Sequence, residues 1–208
     1  MNKLRQAKRL CSVSPDFSMI PRLLLHVCCA PDATVVIERL RDEYDITLFF
    51  YNPNIHPAEE YYLRLRELQQ LADKLNLPCQ PADYDCEDWF NWIKGLESDP
   101  EGGRRCEVCF HKRLEKTAQI AASEGFDMFA TVLTVSPHKN AQLINLIGSQ
   151  LGIKYQVPFL EANFKKKDGF KRSLELCRQF GLYRQDYCGC IFSRNEREIR
   201  KKHNGSAP

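Results

Sequence analysis

The run Leu23-Leu24-Leu25-His26-Val27-Cys28-Cys29-Ala30-Pro31-Asp32 constrains this chain most. An apolar stretch of strand character ends on two adjacent cysteines, and a proline then opens a helix. In an open α/β sheet, ligands bind just past the carboxyl end of such a strand. Neighbouring thiols cannot bridge each other without severe strain. Cys28 and Cys29 are therefore free thiols, partners of distant cysteines, or metal ligands; two small buried strand residues are the plainer alternative.

The alternation continues down the chain. Strands are expected at Leu23–Val27, Ile46–Tyr51, Leu77–Tyr84, Phe129–Val135 and Tyr155–Leu160. Helices are expected over Asp32–Glu43, Pro57–Leu75, Glu87–Leu96, Cys106–Glu124, Asn140–Leu151 and Lys171–Phe180, with Gly125, Gly152 and Gly181 as stops. Strands alternating with helices of this length predict an α/β fold with a mostly parallel sheet covered on both faces. At 208 residues, one domain over 21–193 is expected, preceded by a mobile arm at 1–20 and followed by a basic tail at 194–208.

Charge is uneven. Residues 161–208 hold 12 Lys/Arg against 6 Asp/Glu, whereas residues 1–160 hold 18 against 21. A basic C-terminal quarter suits a polyanion such as RNA; a solvated tail is the alternative. No apolar run reaches membrane-span length and no secretory signal follows the basic N-terminus, so a cytoplasmic protein with no membrane partner is expected. In that setting, ten cysteines point to metal or redox chemistry rather than a disulfide framework.

Four motifs fall at strand ends or helix starts: Cys28-Cys29, Asn52-Pro53-Asn54-Ile55-His56, Arg105-Cys106-Glu107-Val108-Cys109 and Ser136-Pro137-His138-Lys139. The Cys106/Cys109 spacing serves zinc, an iron–sulfur cluster or a redox dithiol. With Cys28 and Cys29 it gives four thiolates, enough for one tetrahedral metal or one [4Fe–4S] cluster. Adjacent cysteines suit a cluster better, because they can reach two irons. Cys188-Gly189-Cys190 could close only a strained, easily reduced ring, which fits a dithiol that cycles; two further ligands or two inert thiols remain open. Asp32 could ligate a metal, act as an acid, or cap a helix. His138, beside Lys139 at a helix start, is the best histidine for an anion or proton role, while His26 reads as structural. Cys11, Cys79, Cys86 and Cys177 stand outside these patterns. No glycine-rich phosphate loop follows the first strand, which argues against ATP or a dinucleotide.

Together, His26–Asp32, Tyr51–Pro57, Arg105–Phe110, Ser136–Lys139 and Tyr187–Cys190 resemble epoxyqueuosine reductases of the QueH type, in order from about residue 22 to 193. The resemblance implies a Rossmann-like three-layer sandwich, similar to the nucleotide-binding enzymes that thiolate tRNA but without their phosphate loop. It implies cobalamin-independent reduction of epoxyqueuosine to queuosine at the tRNA wobble position. By the same resemblance, Cys28, Cys29, Cys106 and Cys109 hold a [4Fe–4S] cluster, and Cys188 and Cys190 are the redox-active pair. The expected partners are tRNA carrying epoxyqueuosine and an external electron donor. An additional metal ion near Asp32 and a monomeric state are further expectations. The rivals are an iron–sulfur-dependent tRNA sulfur transferase, disfavoured by the missing phosphate loop, and a zinc-stapled RNA-binding module.

Overall fold

Leu23, Leu24 and Leu25 are each fully buried in β1 (Arg22–His26), so neither face of that strand meets water. Each contributes about 1.5–3 kcal/mol of apolar burial, and a strand buried on both sides belongs inside a parallel sheet. The computed structural model describes residues 20–204. It contains that sheet: β1, β2 (Asp45–Phe50), β3 (Cys79–Pro81) and β4 (Met128–Thr131), all parallel, in the order β3-β2-β1-β4.

Seven helices accompany the strands among the described residues. They are α1 (Ala30–Leu40), α2 (Ala58–Leu75), α3 (Cys86–Trp92), α4 (Arg104–Ser123), α5 (Ala141–Tyr155), α6 (Gly169–Phe180) and α7 (Ile191–Asn204). The chain steps from β1 to β2 and β3 on one side, then returns to place β4 on the other side of β1. Right-handed crossovers therefore put α1 and α2 on one face and α4 and α5 on the other. α6 packs on α1, and α4 on α5, which completes the three layers. The strand order reverses between β1 and β4, and the crevice at their carboxyl ends is where such sheets bind ligands. His26 fastens that point. Its Nε2–H donates to the Tyr51 carbonyl at 3.2 Å, so Nδ1 accepts from Thr131 Oγ1 at 2.9 Å. Burial and the nearby Arg113 charge push its pKa down to about 3, so His26 is a neutral structural residue.

Several expectations are corrected. The strand expected at Tyr155–Leu160 is a single parallel bridge, Phe129 to Phe159. Helix α5 does not stop at Gly152 but runs to Tyr155, and Gln156 ends it in the left-handed region at φ 57°. Gly148 and Gly152 lie against the segment returning from that helix: a Cβ at 148 would overlap the Phe159 ring, and one at 152 would sit 2.9 Å from the Val157 carbonyl. These glycines serve close packing, not termination. The fourth strand ends at Thr131, and Val132–Val135 is a 3-10 turn. The boundary expected after Ser193 falls inside α7, so the basic segment continues a helix. The arm expected at residues 1–20 lies outside the described residues apart from Ile20, as does Cys11. Among the described residues, no helix is long and apolar enough to cross a membrane.

Candidate metal and redox centre

Three helix N-termini each deliver cysteines to the carboxyl edge of the sheet. Cys28 and Cys29 form the junction of β1 and α1, with Cys29 at the N-cap. Cys106 and Cys109 occupy the first turns of α4, which starts two residues earlier than the sequence suggested. Cys190 immediately precedes α7 and accepts from the Ser193 N–H at 3.4 Å through its sulfur. Helix N-termini favour anions and thiolates, an influence that burial opposes at each of these sites.

The sulfurs occupy two adjoining compartments. An open cleft of about 840 Å³ is lined by Cys28, Asp32, Lys139 and Cys188, with His138 at its exposed rim and α7 as one wall. Beneath it, a small apolar pocket gathers Cys106, Cys109, Cys188 and Cys190 with Trp89 and Phe110. Cys188 lines both. Cys28 Sγ and Cys29 Sγ lie 3.9 Å apart, within S–H···S hydrogen-bond distance. Ligand atoms of Cys28, Cys29 and Asp32 all lie within 4.8 Å of one another; among the described residues this is the tightest metal-competent group, and it does not include Cys106 or Cys109.

Three arginines surround the sulfurs, each only about 1% exposed. Arg64 donates to the carbonyls of Cys188 at 3.1 Å and Tyr187 at 3.3 Å, and pairs with Glu60 at 2.7 Å. Arg105 holds the loop before α4 through the carbonyls of Glu97 and Asp99, and reaches Glu196 of α7 at 3.4 Å. Arg113 donates to the Cys109 carbonyl at 3.2 Å and to Asn52 Oδ1 at 3.4 Å. The anions that raise its pKa are sulfurs: Cys109, Cys188, Cys28 and Cys106. A buried guanidinium needs compensating charge, and the groups placed to supply it here are these cysteines once deprotonated.

The thiols respond to their compartments. Cys28 is pushed down to about 7 by the hydrogen bond with Cys29, helped by the Lys139 and Arg113 charges and opposed by burial. Cys29 moves up because it is the other half of that bond and is buried. Burial raises Cys106 to about 11 and Cys190 to about 12, and also raises Cys109. Burial raises Asp32 as well, against the Lys139 charge. Lys139 is held protonated by Cys188, Cys28 and Asp32, which outweigh its desolvation.

Several buried polar atoms at the pocket close no hydrogen bond: both Asn54 amide atoms, Trp89 Nε1, Arg105 Nε and Arg113 Nη2. Trp89 Nε1 leans on Cys109 and favours its thiolate. Unsatisfied buried donors beside thiols are what an anionic, sulfur-bound group would satisfy. The residues therefore fit a thiolate-held cofactor. They fit a single zinc less well, because the four expected ligands are not drawn into one tight group.

Sequence reading located the cysteines, Asp32, His138 and Lys139. It missed Arg64 and Arg113, although both carry a signal. Arg64 interrupts the apolar stripe of Tyr61, Leu68 and Leu71 on α2, and Arg113 lies one turn beyond Cys109 on the buried face of α4. His56 is buried against Trp89 and Phe90, with both ring nitrogens unpartnered.

The family model for epoxyqueuosine reductase QueH matches residues 23–196. The epoxyqueuosine reductase QueH of Streptococcus pyogenes serotype M1 is 43% identical over 199 residues, covering 93% of this chain and 78% of the relative. That of Thermotoga maritima is 40% identical over 184 residues, covering 87% and 93%. Two solved structures share the fold. The predicted subunit of tRNA methyltransferase from Methanocaldococcus jannaschii has a TM-score of 0.51 at 14% identity, covering 75% of this chain and 74% of its own. The U34-tRNA thiolase NcsA from Methanococcus maripaludis, solved with its [4Fe–4S] cluster, has a TM-score of 0.50 at 9% identity, covering 90% and 67%. With a family model spanning the whole sheet and every cysteine pair of the site, this chain belongs to the epoxyqueuosine reductase QueH family, oxidoreductases of queuosine biosynthesis that act on tRNA.

Proposed function

We propose that the chain carries out this reduction with a [4Fe–4S] cluster held by Cys28, Cys29, Cys106 and Cys109, and with Cys188 and Cys190 as a cycling dithiol. The single observation that carries the reading is Arg113: a fully buried cation lining the same small pocket as Cys106, Cys109, Cys188 and Cys190. Such a cluster, when bound, supplies one-electron redox chemistry and a Lewis-acidic iron. Asp32, within 4.8 Å of both Cys28 and Cys29 sulfurs, offers an oxygen ligand to an additional metal ion.

Reduction of an epoxide to an alkene takes two electrons and two protons and releases water. Closure of Cys188 and Cys190 to a disulfide gives up two electrons and two protons, so the dithiol balances one turnover. An external reductant then reopens the pair. Cys188 is suited to this role because it lines the substrate cleft and the sulfur pocket alike. Lys139 orients the epoxide oxygen by donating from its cationic amine at the cleft floor, beside Cys28 and Asp32. Where no additional metal sits on it, Asp32, with its carboxyl raised by burial, delivers a proton to the departing oxygen. His138 at the rim exchanges protons with water. Arg64 fixes the Cys188 loop through two backbone carbonyls.

The test is to incubate iron-replete, anaerobic protein with epoxyqueuosine tRNA and a reductant, and to read the nucleosides by mass. Loss of one oxygen is expected. A brown protein absorbing broadly near roughly 400 nm is expected before substrate is added. A colourless protein holding one zinc and forming no product would overturn the reading.

A further inference from the structure

The cleft above Cys28 has an outer wall that the reaction does not use. Helix α7 lines it with Arg197, Arg200 and Lys201, and Arg184 lines it from the preceding loop. Positions 197, 200 and 201 are three and four residues apart, so their side chains form a ladder one turn long. Arg197 Nε and Lys201 Nζ share one carboxylate, that of Asp186, at 2.7 and 2.8 Å, which leaves the trio net positive while fixing two of its members. Arg200 reaches only Glu196, at 3.7 Å, an anion already engaged by Arg105. Arg184 lies over the Phe170 ring with its guanidinium 5.2 Å from the centroid.

A small monoanion would engage one of these cations. A group of cations along the lip, two of them held by Asp186, with thiols at the base, fits a chain of phosphates that passes the mouth while one nucleotide turns inward. The cleft volume falls within the about 300–1,000 Å³ usual for one small ligand. An unpaired loop base is the least costly kind to turn in.

We propose that Arg197, Arg200 and Lys201 of α7, with Arg184, grip the backbone phosphates of single-stranded RNA flanking the nucleotide held in the cleft. The proposal deepens the function above and rests on its placing the reacting centre over Cys28 and Cys188.

The test is equilibrium binding of the full-length chain to an anticodon stem-loop RNA carrying queuosine at the wobble position, measured across a series of salt concentrations. It needs no turnover. Replacing Arg197, Arg200 and Lys201 together with Gln is expected to flatten the slope of log affinity against log salt by about 2, at about 0.7 for each single-strand phosphate no longer neutralised, and to weaken binding about 10-fold or more at low salt. Arg200→Gln alone, which leaves the Asp186 pairs intact, is expected to flatten it by about 0.7 and guards against a misfolded triple variant. Arg200→Lys should restore the slope, and Arg41→Ala, at the far end of α1, should leave it as in the parent. An unchanged slope in both Gln variants overturns the grip, whatever the turnover result. A reduced slope with no product from the parent chain would sustain the grip and sink the chemistry proposed above.

Discussion

Cys28 and Cys190 are both buried thiols one wall apart, and their surroundings drive them in opposite directions. In the cleft, the hydrogen bond with Cys29 leads the shift of Cys28 down to about 7, with Lys139 and Arg113 adding to it against the burial penalty. In the pocket, apolar burial leads the rise of Cys190 to about 12, and the neighbouring Cys188 adds to it. The same atom type is thus prepared as an anion on the substrate side and as a protonated thiol on the inner side. That difference distinguishes the two compartments, and Cys188 lines both.

The largest expected effect tests this separation. Cys28→Ser should remove the iron absorption and lower product formation by at least about 100-fold, since removing a ligand does more harm than removing a hydrogen bond that supports one. Cys190→Ser should keep the iron content and lose only the product yield. Iron assay beside nucleoside mass reads both, and equal iron loss in the two variants would erase the distinction between compartments. Next in size is Arg113→Met. Removing one partner of a buried charge arrangement costs about 3–5 kcal/mol. The loss should be larger in the iron-loaded chain, where the sulfurs are anionic, than in the metal-free chain, where most are thiols. Thermal melts of the two forms give the comparison, and an equal shift in both would mean that Arg113 is packing, not a counterion.

The split between compartments was only partly legible in the sequence. β1 and the cysteine pairs were readable, because an apolar run of strand length ending in chemistry-bearing residues has few other uses. The fifth strand was misread because Gly152 looks like a helix stop in a one-dimensional string, whereas Gly152 and Gly148 let the returning segment with Val157 and Phe159 approach the helix. Helix α7 escaped notice because it docks by polar contacts. Ser193 Oγ accepts from the Cys188 N–H at 3.2 Å and donates to Glu101 at 3.1 Å, and Phe192 takes the Arg105 guanidinium at 4.5 Å. None of these leaves an apolar stripe. The buried arginines were hidden by a sound default, that charges on helices face water. The four expected ligands stood out in the string as cysteine pairs, but it could not show that Cys28, Cys29 and Asp32 draw together more tightly than the four cysteines do.

Alkylation of the metal-free chain gives a smaller effect, on rates rather than on survival. A thiolate reacts and a thiol does not. Cys28 should therefore label with a midpoint near pH 7, whereas Cys106, raised to about 11 by burial, should stay unlabelled at the same pH. Peptide mass mapping after brief exposure at pH 6, 7.5 and 9 separates them. Co-titration of the two thiols would show that the cleft and pocket are one electrostatic environment.

The smallest effect lies at the outer edge of the cleft, at Asp186. Lys201 and Arg197 hold its carboxyl below the ordinary value, in that order of influence. A depressed carboxylate contributes stability that is fully present above its unfolded pKa of about 3.9 and disappears as pH falls through the folded value. Its side chain is 47% exposed, so water screens the two ion pairs, and their worth is below about 1 kcal/mol. Asp186→Asn should accordingly melt slightly lower than the parent at pH 7, with a gap that closes as pH falls through the folded value. Arg113→Met, deep in the protein, has no carboxylate whose protonation would close its gap in this way. The two variants thus divide by how their deficits respond to acid: a deficit at Asp186 that did not narrow as pH fell would mean the carboxylate holds α7 by shape rather than by charge.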